Sequence, residues 1–272
     1  MRLKGKTALI AGASRNIGKE IAVTFAREGA DLVLISRSMN DDLKQAAREC
    51  EGRGVRALPV AADVGDHQAA NRAVQQSLAH FGKVDVLVCV AAIRPHKPFW
   101  EIGFDEWNQV LAVNLSSTFY LAKALAPGWI KNGTGGSIVA VGGMASLTSQ
   151  PNRAHVIASK TGLYGLIKAL ALELGPYGVR ANLLAAGLIG TERRNPEWYP
   201  EGGGVPHGIA SSKPDGAPFG TADGTPLGRA DGAPLKRVGT TQEVANVALF
   251  LASDESSFVT GDRIVCAGGR YM

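Results

Sequence analysis

Short, unbroken apolar runs alternate along this chain with stretches whose apolar residues recur every three or four positions. Residues 7–11 (TALIA), 31–35 (DLVLI), 55–60, 84–90 (VDVLVCV), 137–141 (SIVAV), 179–184 and 263–266 read as strands. Residues 17–28, 41–51, 67–81, 104–125, 156–174 and 241–251 read as helices, the first with Ile17, Ile21 and Phe25 at i, i+4 and i+8. A strand that is apolar at every position is covered on both faces, and helices crossing between parallel strands supply that cover. Right-handed crossovers then predict an α/β fold: a doubly wound parallel sheet of the Rossmann type, one domain over residues 1–272.

Composition narrows the setting. With 45% hydrophobic and 19% charged residues, the chain buries a sizeable core. No apolar run approaches the roughly 20 residues of a membrane helix. Residues 1–14 lack the apolar core and cleavage site of a secretory signal, so a cytoplasmic protein without a membrane partner is expected. Cys50, Cys89 and Cys266 are widely spaced with no CxxC, which predicts reduced thiols rather than a disulfide frame or zinc site. The formal charge of +5 comes without a Lys/Arg block, which suits a small anionic ligand and not nucleic acid.

One segment breaks the alternation. Residues 192–237 hold seven of the 13 prolines and nine of the 34 glycines. Within them Asp215-Gly216-Ala217-Pro218, Asp223-Gly224-Thr225-Pro226 and Asp231-Gly232-Ala233-Pro234 recur every eight residues. Three copies this short are turns, not a repeat architecture. We read the segment as an insertion forming a lid beside the active site, against the plainer reading of a surface loop.

The loop from Gly12 to Gly18 joins the first strand to the first helix. Gly12 lets the chain turn sharply, Gly18 allows close packing, and the helix-start N–H groups then face a pyrophosphate. This loop resembles that of the short-chain dehydrogenase/reductase family. The family motif TGxxxGxG is matched by Ala11 to Gly18, with Ala11 for Thr and Asn16 for the middle Gly. Further matches occur in order along the chain: Asp63-Val64, Asn114, Ala158-Ser159-Lys160, Gly187 to Thr191 with Ala186 for Pro, and residues 234–237, 249–254 and 259–269.

The resemblance implies a nicotinamide cofactor and a small-molecule substrate in a homotetramer or dimer. It implies cofactor contacts from Gly12, Ser14, Arg15, Asn16, Ile17 and Gly18, from Asp63 and Val64 at the adenine, and from Ala91, Lys160, Gly187, Ile189 and Thr191. Members preferring NAD carry an acid at the end of the second strand, bonded to the ribose. Ser36 stands there, followed by Arg37, with Arg15 as a second cation. A 2′-phosphate meets no carboxylate and two guanidinium groups, so NADP(H) is favoured, with NAD(H) as the alternative.

Catalysis departs from the family. There, a Tyr moves the proton, a Lys four residues later holds the ribose and lowers the Tyr pKa, a Ser thirteen residues before the Tyr bonds the substrate, and an Asn holds a relay water. Lys160 and Asn114 are present, but the Tyr position is Val156 and the Ser position is Gly143. The family's NNAG reads Cys89-Val90-Ala91-Ala92. Losing a positioned acid costs about 10²- to 10⁴-fold in rate, or roughly 3 to 5 kcal/mol. Candidate substitutes are Arg153, which shares a face with Val156 and Lys160 if the helix reaches it, and His155, about 140° around the helix from Lys160. Enoyl reductases of the wider family place their Tyr where Arg153 stands.

Arg94, His96 and Lys97 come after the fourth strand at the cleft mouth. Arg94, His96 and Gly143 are the expected substrate contacts. Ser146, Thr148 and Ser149 read as turn residues. The histidines have no metal-ligand spacing. The resulting expectation is an NADP(H)-dependent oxidoreductase with a non-standard proton donor, transferring hydride to or from a carbonyl, an activated C=C or an imine. The alternatives are a cofactor-binding sensor or subunit without turnover, and a non-redox enzyme on the same scaffold.

Overall fold

The computed structural model describes residues 1–192 and 233–270. The repeats at 215–234, apart from their last two residues, and most of the segment read as a lid lie outside the described residues. Strands β1 (Thr7–Ala11), β2 (Asp31–Ser36), β3 (Ala57–Ala61), β4 (Val86–Cys89), β5 (Gly136–Val141), β6 (Val179–Ala186) and β7 (Arg263–Cys266) form one parallel sheet in the order β3-β2-β1-β4-β5-β6-β7. Helices α1 (Asn16–Arg27), α2 (Asp41–Glu51), α3 (His67–Phe81), α4 (Phe104–Leu111), α5 (Ser117–Asn132), α6 (Ala154–Leu174) and α7 (Thr241–Ala252) cover its two faces.

Side chains alternate across each strand, so one sequence feeds two cores. Ala8 and Ile10 of β1 join Ile21 and Phe25 of α1, Leu43 of α2 and Val244 of α7. Leu9 and Ala11 join Val74 of α3, Leu121 of α5 and Ile167 of α6. Each such buried Val, Leu, Ile or Phe side chain contributes about 1.5–3 kcal/mol. The doubly wound architecture is therefore the one the apolar runs predict. Among the described residues no helix is long and apolar enough to cross a membrane. Cys50, Cys89 and Cys266 are free thiols.

The stretch predicted as a single helix over 104–125 is interrupted. A π turn at Ala112–Ser116 separates α4 from α5, and α5 runs on to Asn132. No glycine or proline marks the π turn, and the short stretches on either side keep helical spacing, so periodicity does not reveal it. Helix α6 starts at Ala154, two residues before its first regularly spaced apolar residue.

Strand order reverses at β1, which pairs with β2 on one side and β4 on the other, Ala11 lying level with both Ile35 and Cys89. Crossovers on the two sides of β1 run in opposite directions and open a crevice at the carboxyl ends of the strands.

Candidate active site

The glycine loop is fixed by close approaches at the carboxyl end of β1. Gly12 has φ +91°, and a Cβ there would lie 2.7 Å from the Ala91 nitrogen. A Cβ at Gly18 would lie 1.9 Å from the Gly12 carbonyl oxygen, so α1 begins directly on the loop. The amides of Gly12 and Ala13 donate to the Ile35 carbonyl, and those of Val90 and Ala91 to the Ala11 carbonyl. Strands β1, β2 and β4 are thereby tied under one backbone cradle, which also includes Ser14 and Ile17. Arg15 is the residue before α1, and its side chain makes no capping bond.

Asn16 occupies the middle-glycine position with φ 51°, the left-handed conformation that Asn tolerates better than most residues. Its Nδ2 donates to the Glu192 carbonyl at 3.0 Å, and its Oδ1 accepts from the Glu192 amide at 2.9 Å. The glycine loop is thus joined to the segment that begins after Thr191.

Ser36 ends β2 half-buried, with Arg37 exposed beside it. Among the described residues, the guanidinium groups of Arg15 and Arg37 have no hydrogen-bond or carboxylate partner. The Asp63 carboxylate accepts the Gly65 amide at 2.9 Å in the turn after β3, next to buried Val64. Across the crevice, a Cβ at Gly187 would lie 2.7 Å from Ala267 Cα, and the Gly187 amide donates to Cys266. Ile189 is buried and bridges to Gly239.

Lys160 is buried on α6, and its Nζ donates to the Val141 carbonyl at 2.9 Å, where β5 ends. Burial, then the positive charge of Arg94, pushes its pKa down to about 8, while Cys89 acts in the opposite direction. The π turn presents Asn114 sideways. Its Oδ1 accepts from the Ile93 amide at 2.8 Å, and its Nδ2 donates to the Ile93 carbonyl at 2.9 Å and to Ser159 Oγ at 3.2 Å. Ser159 Oγ donates back to the Val156 carbonyl. The segment after β4 is held to α6 through this buried chain of amide and hydroxyl.

Val156 is buried, one turn before Lys160. Gly143 adopts φ 71° and ψ 178°, a region essentially restricted to glycine. Ser146 Oγ donates to Gly143 and Thr148 Oγ1 to Met144, the turn chemistry expected of them. Tyr164 lies under the Arg263 guanidinium, 4.6 Å from ring centroid to Cζ.

His155 lies fully buried on the first turn of α6, with Nε2 3.1 Å from Glu106 Oε1 on α4. Glu106 is also paired with Lys97. Burial is the largest influence on the Glu106 carboxyl and raises its pKa, but hydrogen bonds and charge from Lys97 and His155 outweigh it and hold the group below its usual range. The Lys97 amide donates to the Asn152 carbonyl at 2.8 Å. Sequence reasoning missed Glu106: it pairs with a histidine 49 residues away and stands in no motif. Arg153 precedes α6 rather than lying on its face, and its Nη1 donates to Gln150. Arg94 is exposed and His96 half-buried, both on the segment after β4. Among the described residues no cluster of His, Cys, Asp or Glu could hold a metal.

The cradle suits a dinucleotide. Glycines stand where a Cβ would clash with backbone, and the buried ammonium of Lys160 has one protein acceptor among the described residues. Residues 6–201 match the family model for short chain dehydrogenase, and residues 221–270 match that for enoyl-(acyl carrier protein) reductase. L-rhamnose 1-dehydrogenase (NAD(P)(+)) of Sphingomonas sp. SKA58 is 32% identical, over 99% of this chain and 98% of its own. The 3-oxoacyl-(acyl-carrier-protein) reductase FabG of Escherichia coli K12 is also 32% identical, over the full length of both. Among solved structures, a putative short-chain alcohol dehydrogenase from Sinorhizobium meliloti 1021 superposes with a TM-score of 0.84 at 28% identity, covering 98% of this chain and 97% of that one. A 7α-hydroxysteroid dehydrogenase complexed with NADH and 7-oxo glycochenodeoxycholic acid gives 0.82 at 30%, covering 98% and 95%. Glycine cradle, strand order and full-length similarity agree: the chain belongs to the short-chain dehydrogenase family, whose members are nicotinamide-dependent oxidoreductases.

Proposed function

We propose that this protein is an NADP(H)-dependent oxidoreductase that reduces or oxidises a small organic substrate without the family's tyrosine. The observation that carries this reading is the intact cofactor crevice, with buried Lys160 at one end of it, beside Val156 and Gly143 in the Tyr and Ser positions. The cofactor would supply the hydride. Gly12 to Gly18 would hold its pyrophosphate, Asp63 and Val64 its adenine, Lys160 its ribose, and Ala91, Gly187, Ile189 and Thr191 its nicotinamide half. NADP(H) preference is supported by Ser36 and by the guanidinium groups of Arg15 and Arg37, which have no carboxylate partner among the described residues. Arg94 and His96 stand at the mouth where substrate enters, and the protein works as a cytoplasmic homo-oligomer, dimer or tetramer.

The relatives named above act on L-rhamnose, on a 3-oxoacyl group borne by a carrier protein and on a hydroxysteroid, so they do not single out a substrate. Chemistry narrows it to a group that is easily protonated or already polarised: an imine, an activated C=C, or a carbonyl with its own internal donor. The test is NADPH oxidation against ethyl pyruvate, cyclohexenone and methylpyrroline, alongside titration of NADPH and NADH. Turnover of one class supports the reading. Tight NADPH binding with silence across a broad screen of all three classes makes the protein a sensor or subunit, and failure to bind either cofactor revives a non-redox enzyme.

A further inference from the structure

Without a tyrosine, the reaction needs another proton donor, and the neighbours of Val156 differ in what they are free to do. Asn114 has both ends of its amide bonded to the Ile93 backbone. Ser159 turns its hydroxyl back to the Val156 carbonyl. His155 faces α4 and bonds Glu106. Arg153 stands ahead of α6, bonded to Gln150, and a guanidinium does not deprotonate at any ordinary pH.

Lys160 differs from all of these. It is buried, yet Val141 is the only acceptor its three N–H bonds meet among the described residues. A buried ammonium so under-provided is strongly penalised unless a ligand completes it. It sits between the ends of β4 and β5, where the crevice opens. Val156, one turn earlier on the same helix, puts an isopropyl group that neither gives nor takes a proton at the position read as the family's tyrosine.

Resting on the proposed oxidoreductase function, we propose that Lys160 is itself the general acid and base: its ammonium delivers the proton to the substrate oxygen or nitrogen, and its amine recovers it in the reverse direction. An N–H bond of the ammonium breaks and an O–H or N–H bond forms on the substrate. The hydride supplied by the nicotinamide brings the two electrons, and the neutral amine regains its proton from water. Two groups outside α6 act on its titration: Arg94, from the segment after β4, favours the amine, and Cys89, at the end of β4, favours the ammonium. The Cys89 thiol is itself hydrogen-bonded to Thr118 of α5 and held un-ionised by burial, its pKa raised to about 11. With burial as the largest influence, the Lys160 pKa of about 8 lies close to neutral, where a donor is efficient.

Reduction needs the ammonium, so its rate falls as pH rises through about 8; oxidation needs the amine, so its rate rises over the same interval. The test compares wild type with K160R, which keeps charge and donors but cannot lose a proton there. K160R is expected to bind NADPH within about tenfold of wild type by fluorescence titration. Its turnover should fall about 10²- to 10⁴-fold, and the pH break should vanish. In the cofactor-free protein, the Lys160 ε-carbon NMR signal should titrate near pH 8 and be missing from K160R. Should K160R fail to fold, K160A under saturating NADPH is expected to be rescued by primary amines, with rates that track the acidity of the added amine. Turnover of K160R above a tenth of wild type, a break that persists in it, a lysine titrating at its ordinary value, or rescue indifferent to amine acidity overturns the proposal. A wild type that binds NADPH yet reduces no acceptor instead overturns the functional reading, and this inference falls with it.

Discussion

Gly143 sits in a backbone conformation that side chains resist, at φ 71° and ψ 178°. Space is not the obstacle, since a Cβ there would come no closer than 3.7 Å to another residue, at the Ala186 carbonyl. A side chain added at this position is therefore strained by the backbone itself. G143S is expected to lose about 1–3 kcal/mol of stability, read as a lowered thermal midpoint, without gaining activity. A G143S protein as stable as wild type contradicts this. Asn16 presents the opposite case. Its backbone makes a left-handed turn of the kind glycine adopts readily, and the side chain adds two bonds to Glu192. N16G should preserve the loop and lose those bonds, each contributing about 0.5–1.5 kcal/mol. Stopped-flow displacement should then record NADP(H) leaving up to roughly tenfold faster with little change in its association rate; an unchanged dissociation rate refutes the role. The sequence marks both positions as departures from the family pattern, but it does not distinguish them. At Asn16 a left-handed backbone carries a side chain that bonds Glu192, while at Gly143 the backbone lies in a region that strains any side chain.

Helix α4, helix α6 and the segment after β4 are pinned together by Lys97, Glu106 and His155. None of the three is legible as a set, because the pairing depends on how α4 leaves the sheet, and the π turn that joins α4 to α5 is hidden from periodicity. His155 donates or accepts at Nε2 only; its buried Nδ1 has no protein partner among the described residues. Replacing Glu106 leaves a buried imidazole without its bond and Lys97 without its carboxylate. E106L is expected to destabilise the protein by about 1–3 kcal/mol in urea unfolding at neutral pH. The sign of the pH effect comes from the lowered folded-state pKa. The carboxylate's contribution is complete above its unfolded value, near 4.3, and disappears as pH falls through the lower folded value. The gap between wild type and E106Q should therefore narrow as unfolding is measured at progressively more acid pH. A gap that stays constant assigns the loss to packing rather than charge.

Across the whole molecule, strand order is the most legible feature: continuous apolar runs with helical crossovers left little choice but a doubly wound sheet, and its reversal at β1 locates the crevice. That crevice has two ends on different elements. On the proposed reading the adenosine end would lie with Ser36, Arg37 and Arg15 beside β2, and the reacting end with Lys160, bonded to Val141 where β5 ends. β1 and β4 separate β2 from β5 in the sheet, so the two ends stand apart and, on that reading, would act on different parts of the cofactor. Changes at distant sites without shared partners add independently. A carboxylate introduced by S36D, combined with R37A, repels a 2′-phosphate and accepts from a ribose hydroxyl. The ratio of NADP(H) to NAD(H) efficiency is expected to fall by on the order of tenfold or more, at least 1.4 kcal/mol. The pH break set by Lys160 near 8 should stay where it is. Steady-state rates with each cofactor over pH 6 to 10, on the order of two units either side of that break, measure both quantities in one experiment. An unchanged ratio removes β2 from cofactor selection. A break that moves with the ratio means the cofactor's phosphate is felt at Lys160, and the sheet then couples the two ends it otherwise keeps apart.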